Sequence, residues 1–136
     1  MVVPVRLAFV SLAVAFGGSF HFGYLTFLLN PSHPAFYSFV HQSFAAHYGR
    51  WLVEEEYRLL WSCLSAALPL GAIIGVLVVA SLGDDLSRKR VMYMAVCLSV
   101  TGSMLSLLSQ PCDSFELYIL GRFTSGISCS LSIAFQ

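Results

Sequence analysis

Charge is what this sequence has least of. Only 10% of its 136 residues are Asp, Glu, Lys or Arg, against about 25% in an ordinary globular protein. With 57% hydrophobic residues, a water-soluble domain of this size could not cover its apolar surface. Disordered, fibrous and ordinary soluble classes are therefore excluded. Seven basic and seven acidic residues cancel, so no positive field points to nucleic acid as a partner. The four cysteines, at positions 63, 97, 112 and 129, show no CxxC spacing and read as small packing residues, not a disulfide frame or a metal site. A Ser-His-Asp constellation, a phosphate-binding glycine loop and a metal-ligand cluster are all missing, which leaves an enzyme without support and calls for no cofactor.

What the sequence does have is long runs without charge. Leu7 to Leu29, Leu59 to Gly83 and Val91 to Cys112 are each more than twenty residues long. At about 1.5 Å per residue, each makes roughly 33–37 Å of helix, enough to cross a bilayer core of about 30 Å. A fourth run starts near Leu117, is interrupted by Arg122 and reaches Gln136. In lipid the backbone must satisfy itself, so these runs predict helices and an all-α, polytopic membrane protein. The expected spans are 7–29, 59–83, 91–110 and 116–136, with a loop at 30–58 and a charged turn at 84–90. The first run is longer than the 7–15 residues of a signal-peptide core and reads as a retained span. Arg88, Lys89 and Arg90 form the densest basic group in a short loop, which places that turn and the N-terminus in the cytoplasm and residues 30–58 outside.

The helix faces add candidates. Gly71 and Gly75 form a GxxxG pair in the second span, and small residues recur in the third and at Gly121, Ser125, Ser128 and Ser132 in the fourth. In lipid, small residues let helix backbones approach and bond, so these stripes read as packing surfaces. Gly17, His21, Tyr24 and Leu28 share one face of the first span. A charged His at that depth is expensive, so His21 is expected to be neutral and to face a wet cavity or a partner helix. Arg122 lies six residues past Glu116, about 600° of helix rotation. The two are not a local pair, and Arg122 must snorkel or find a partner on another helix. Ser87 and the aspartates before it are placed to cap the third span.

These residues resemble a known family. Gly18-Ser19-Phe20-His21-Phe22-Gly23-Tyr24 followed by Asn30-Pro31, Leu60-Trp61-Ser62, Pro69-Leu70-Gly71 through Gly75, the Asp84–Arg90 turn, Ser114-Phe115-Glu116-Leu117 and Leu120-Gly121-Arg122-Phe123 are similar, in order, to the amino-terminal part of the facilitative hexose transporters. That family is the sugar-porter branch of the major facilitator superfamily. His21 stands where it usually has Gln, Leu25 where it has Asn, and Asp85 and Ser87 where its turn has Arg and Gly. The resemblance implies a partial major facilitator bundle in the plasma membrane and a small-molecule sugar as partner beside the lipid. The Pro-Leu-Gly and Ser-Phe-Glu-Leu pieces lean to the fructose- and urate-carrying class. It further implies substrate-path roles for His21 and Tyr24. It makes Asp84, Arg88, Lys89, Glu116 and Arg122 candidates for a conformational charge network. Transport by rocking two halves needs more than four helices, so the chain by itself is expected to be inactive. A four-span accessory protein is the alternative, but the paired cysteines such proteins carry outside are missing from 30–58.

Overall fold

The computed structural model describes residues 5–82 and 87–134. The first apolar run is one helical rod, Val5–Phe27, made of α1 (Val5–Ala15), a π-helical turn (Phe16–Phe20) and α2 (His21–Phe27). Then come α3 (His33–Tyr48), α4 (Glu54–Leu82), α5 (Arg88–Leu108) and α6 (Phe115–Ala134). The π turn falls on Gly17-Gly18-Ser19, where one extra residue enters the helical ladder, and Gly18 is the one buried residue of that turn.

Among the described residues, three stretches are long and apolar enough to cross a membrane: Val5–Phe27, Glu54–Ser81 and Arg88–Leu108. The fourth expected span is a helix too. Its 20 residues reach about 30 Å, but Arg122 and its many serines and glycines make it less apolar. The reason is its position. Helix α6 lies between α4 and α5 and buries nine of its residues, so protein, not lipid, is its solvent.

The stretch between the first two spans carries structure that the sequence reading left as loop. Helix α3 begins at His33 with Pro34 in its first turn, where a missing N–H costs nothing. It ends at Gly49, whose φ of 65° only glycine adopts freely. Its buried face, Val40 and Phe44, packs with Leu52, Tyr57 and Phe115. Ser43 ties the hairpin to the far end of the chain, accepting the Phe115 N–H at 3.2 Å and donating to the Asp113 carbonyl. Helix α4 starts at Glu54, five residues before the apolar run, with three glutamates in the turn where the helix dipole favours them.

Candidate functional site

Helix α6 meets its two neighbours through opposite faces. Toward α5, the Gly121 Cα approaches so closely that an added Cβ would lie 2.8 Å from the Gly102 carbonyl oxygen. One turn pair further on, the Ser128 hydroxyl donates to the Ala95 carbonyl at 2.7 Å. Toward α4, a Cβ on Gly126 would collide with the Leu68 carbonyl. Those on Gly71 and Gly75 would collide with the Phe123 carbonyl and the Ser130 hydroxyl. The register rises with both helices for α4 and falls for α5, so α4 and α6 run parallel and α5 antiparallel. Gly126 was missed in the sequence because it lies five residues after Gly121, off that stripe. Ser130, four residues on, marks the second stripe to which it belongs.

A third face of α6 carries Arg122. The side chain is 5% exposed. Its Nη2 donates to the Leu25 carbonyl at 3.0 Å, in the last turn of α2, where carbonyls have no helical partner and the dipole is negative. Arg122 therefore caps the first span, 97 residues away in sequence. Its Nε has no hydrogen-bond partner among the described residues. Beside it lies a cleft of about 530 Å³ lined by Tyr24, Leu25, Leu28, Ser103, Ser106, Gln110, Tyr118 and Ser125, among others. The lining mixes apolar side chains with a few hydroxyls and an amide, the usual make-up of a small-molecule site.

The structure brings Tyr24 and Arg122 to this cleft together. His21, one turn before Tyr24, is half-buried and does not line it. Glu116 lies at the other end of α5 from Arg88 and Lys89. It accepts hydrogen bonds from Tyr48 at 3.2 Å and Ser114 at 2.9 Å. Arg88 and Lys89 are exposed in the first turn of α5. Ser87 occupies the N-cap position without a side-chain capping bond, so the expected serine cap is not made. Asp84 and Asp85 lie outside the described residues.

Helix α3 and the start of α4 make an aromatic cluster that sequence reasoning did not foresee. His33 stands edge-on to Trp61 at 4.4 Å, and its Nε2 lies 3.3 Å from the Tyr57 hydroxyl. His41 donates from Nδ1 to the Tyr37 carbonyl at 2.9 Å. Arg50 makes a two-point contact with Glu56, at 2.9 and 3.2 Å, and its guanidinium lies 5.1 Å from the Phe44 ring centre. The hydrogen bond that Tyr48 donates to Glu116, and the charge of that carboxylate, hold the exposed Tyr48 phenol above its ordinary pKa.

Helices that turn glycines, serines and one arginine inward, and large apolar side chains outward, define a multi-pass helical membrane protein with a largely apolar cleft that holds a few polar groups. Comparison with known proteins narrows the class. Residues 10–135 match the family described as "Sugar (and other) transporter". Solute carrier family 2, facilitated glucose transporter member 7 of Mus musculus is 32% identical over 126 residues, 93% of this chain and 25% of the relative. Member 9 of Homo sapiens is 30% identical over 128 residues, 94% of this chain and 24% of the relative. Member 11 of Homo sapiens is 29% identical over 124 residues, 91% and 25%. The chain belongs to the sugar transporter family. It spans about a quarter of the length of the curated relatives it matches.

Proposed function

We propose that this chain forms part of the wall of a transmembrane hexose path, within a carrier that works by alternating access. The observation that carries the reading is the cleft beside Arg122, apolar with a few polar groups, in a chain that matches sugar transporters over residues 10–135. Tyr24, Ser103, Ser106, Gln110, Tyr118 and Ser125 offer hydroxyl and amide groups there, and such groups replace the water around a sugar's hydroxyls. Fructose is the preferred substrate, on the motif pieces that lean to that class, and His21 sits one turn from the path. Gly71, Gly75 and Gly121 keep α4, α5 and α6 together as one body while the halves rock. Asp84, Arg88 and Lys89 belong to a cytoplasmic charge network that exchanges partners as the carrier switches. The basic cluster supports a cytoplasmic N-terminus, and the family resemblance favours the plasma membrane.

Replacing the matching quarter of the mouse member 7 relative with residues 10–135 tests the path. Saturable uptake of labelled fructose by the chimera is expected, with Tyr24→Ala lowering it at equal surface amount. A chimera that reaches the surface but takes up neither fructose nor glucose overturns the reading. Cysteine labelling of intact cells tests the topology: reagent is expected to reach position 47, and reagent reaching position 88 instead reverses the assignment.

A further inference from the structure

We propose that the cleft beside Arg122 binds a small monovalent anion, a halide or a short carboxylate, which serves as the counter-ion of the Arg122 guanidinium. A guanidinium keeps its proton in any protein environment and presents five N–H donors. Arg122 is 95% shielded by this count of its exposure, 5%, and lies seven residues into α6, about 10 Å from its start. Its one hydrogen bond runs to the Leu25 carbonyl, a helix end that carries only about half a negative charge. The Nε–H has no partner among the described residues. The positive charge is therefore only partly answered.

Nothing acidic in the described residues is placed to answer the rest. Glu116 is engaged by Tyr48 and Ser114, Glu56 by Arg50 and Glu54 by Tyr37, all at the outer end. No Asp or Glu among the described residues lines the cleft. Among the residues that line it with Arg122 are Tyr24, Tyr118 and Gln110, whose hydroxyls and amide have no hydrogen-bond partner among the described residues. Ser103 and Ser106 already donate to carbonyls of their own helix, leaving only lone pairs toward the cleft. One buried cation and several free donors, with no carboxylate, suit an anion. Water would satisfy the donors but leave the charge. At about 530 Å³ the cleft is many times the roughly 30 Å³ share of one water, so a carboxylate fits. This site does not require that a hexose pass through the chain.

The test uses the whole chain in discs of zwitterionic phosphatidylcholine, with chloride and then labelled acetate as probes in separate arms, read by the NMR linewidth of each ion. Saturable broadening is expected in at least one arm, and the tighter arm identifies halide or carboxylate. Arg122→Gln is expected to weaken binding at least tenfold, while Arg88→Gln leaves it unchanged. Leu25→Asp keeps the arginine and places a fixed carboxylate on the helix end it already contacts, so it too should weaken binding at least tenfold. This variant decides the matter if Arg122→Gln fails to fold. Broadening that never saturates in the wild type overturns the proposal, and so does saturable binding that survives in either cleft variant. The readout is independent of sugar uptake, so failure of the chimera leaves it standing.

Discussion

The first span and α6 are both long helices with glycines and one basic residue at depth, yet they live in different solvents. Along Val5–Phe27 large apolar side chains such as Val5, Phe9 and Phe27 point away from the protein, and no neighbour comes within 4 Å of a Cβ built on Gly17 or Gly23. Along α6 nearly half the residues are buried, and most of those are Gly, Ser or Arg. Hydropathy therefore ranks the two helices in the reverse order of their burial. In lipid there is no hydrophobic gain from bringing helices together, so the buried surface is chosen for closeness and hydrogen bonding and the exposed surface for apolarity. Glycine has the same name in both helices and a different task.

The largest effect that separates the two regions is a methyl group. On Gly126 it would meet the Leu68 carbonyl and come within 3.1 Å of the Ala72 nitrogen, both backbone atoms that cannot swing aside. Gly126→Ala should destabilise the α4–α6 pair by about 1–3 kcal/mol, the usual range for overpacking, and Gly126→Leu should separate the helices. Gly23→Ala enters open space and should cost nothing, with up to about 1 kcal/mol of helix propensity in its favour. Unfolding in lipid bicelles, followed by loss of helicity, measures both. Equal losses at 126 and 23 would break the comparison.

A smaller contrast lies in hydroxyls. Ser128 reaches across to the Ala95 carbonyl on α5 from a buried position, whereas Thr26 donates to Phe22 within its own exposed turn, at 2.8 Å. Interhelical bonds of the first kind average about 0.6 kcal/mol in membranes, with a ceiling near 1.7. Ser128→Ala should lose about that much, and Thr26→Ala should stay within about 0.5 kcal/mol of wild type. A Thr26 loss as large as that of Ser128 would mean that the Thr26 side of the first span also meets a partner.

Much of this architecture was readable from residue type alone, because lipid forbids charge and the charge-free runs therefore marked three spans directly. The GxxxG pair on α4 was readable for the same reason. The Arg122 partner was not, since a backbone carbonyl at the end of another helix leaves no side-chain signature. Helix α3 hid behind Pro31, Pro34 and its histidines, which look like loop residues. In hindsight Ser32 and Pro34 at one end and Gly49 at the other are helix punctuation, and Val40 and Phe44 lie four apart on one face. The cleft was half legible: Tyr24 was singled out from its helix face, but Gln110, Ser106 and Tyr118 meet it only through the antiparallel return of α5 and α6.

The smallest expected effect lies outside the membrane, where water competes for every polar contact. Tyr48, at the end of α3, donates its hydroxyl to Glu116 in the first turn of α6 and stacks on Phe44 with ring centres 4.6 Å apart. Accepting that bond, and standing nearby as a negative charge, Glu116 favours the neutral phenol and raises its pKa. The sign follows for an acid with a raised folded value: the contact contributes below the pKa of the unfolded phenol and is lost as pH climbs through the folded one. Nothing should therefore change near neutrality, and the effect belongs to alkaline solution. Subtracting the tyrosinate absorbance of Tyr48→Phe from that of wild type isolates the Tyr48 step, since the variant keeps the stack and loses only the hydroxyl. Glu116→Gln should bring that step down to the ordinary phenol range, with only a small loss of melting temperature at neutral pH because the contact is exposed. A step that stays where it was in Glu116→Gln would detach Tyr48 from α6. A drop in neutral melting as large as that of Ser128→Ala would erase the difference between a contact that water can replace and one that it cannot.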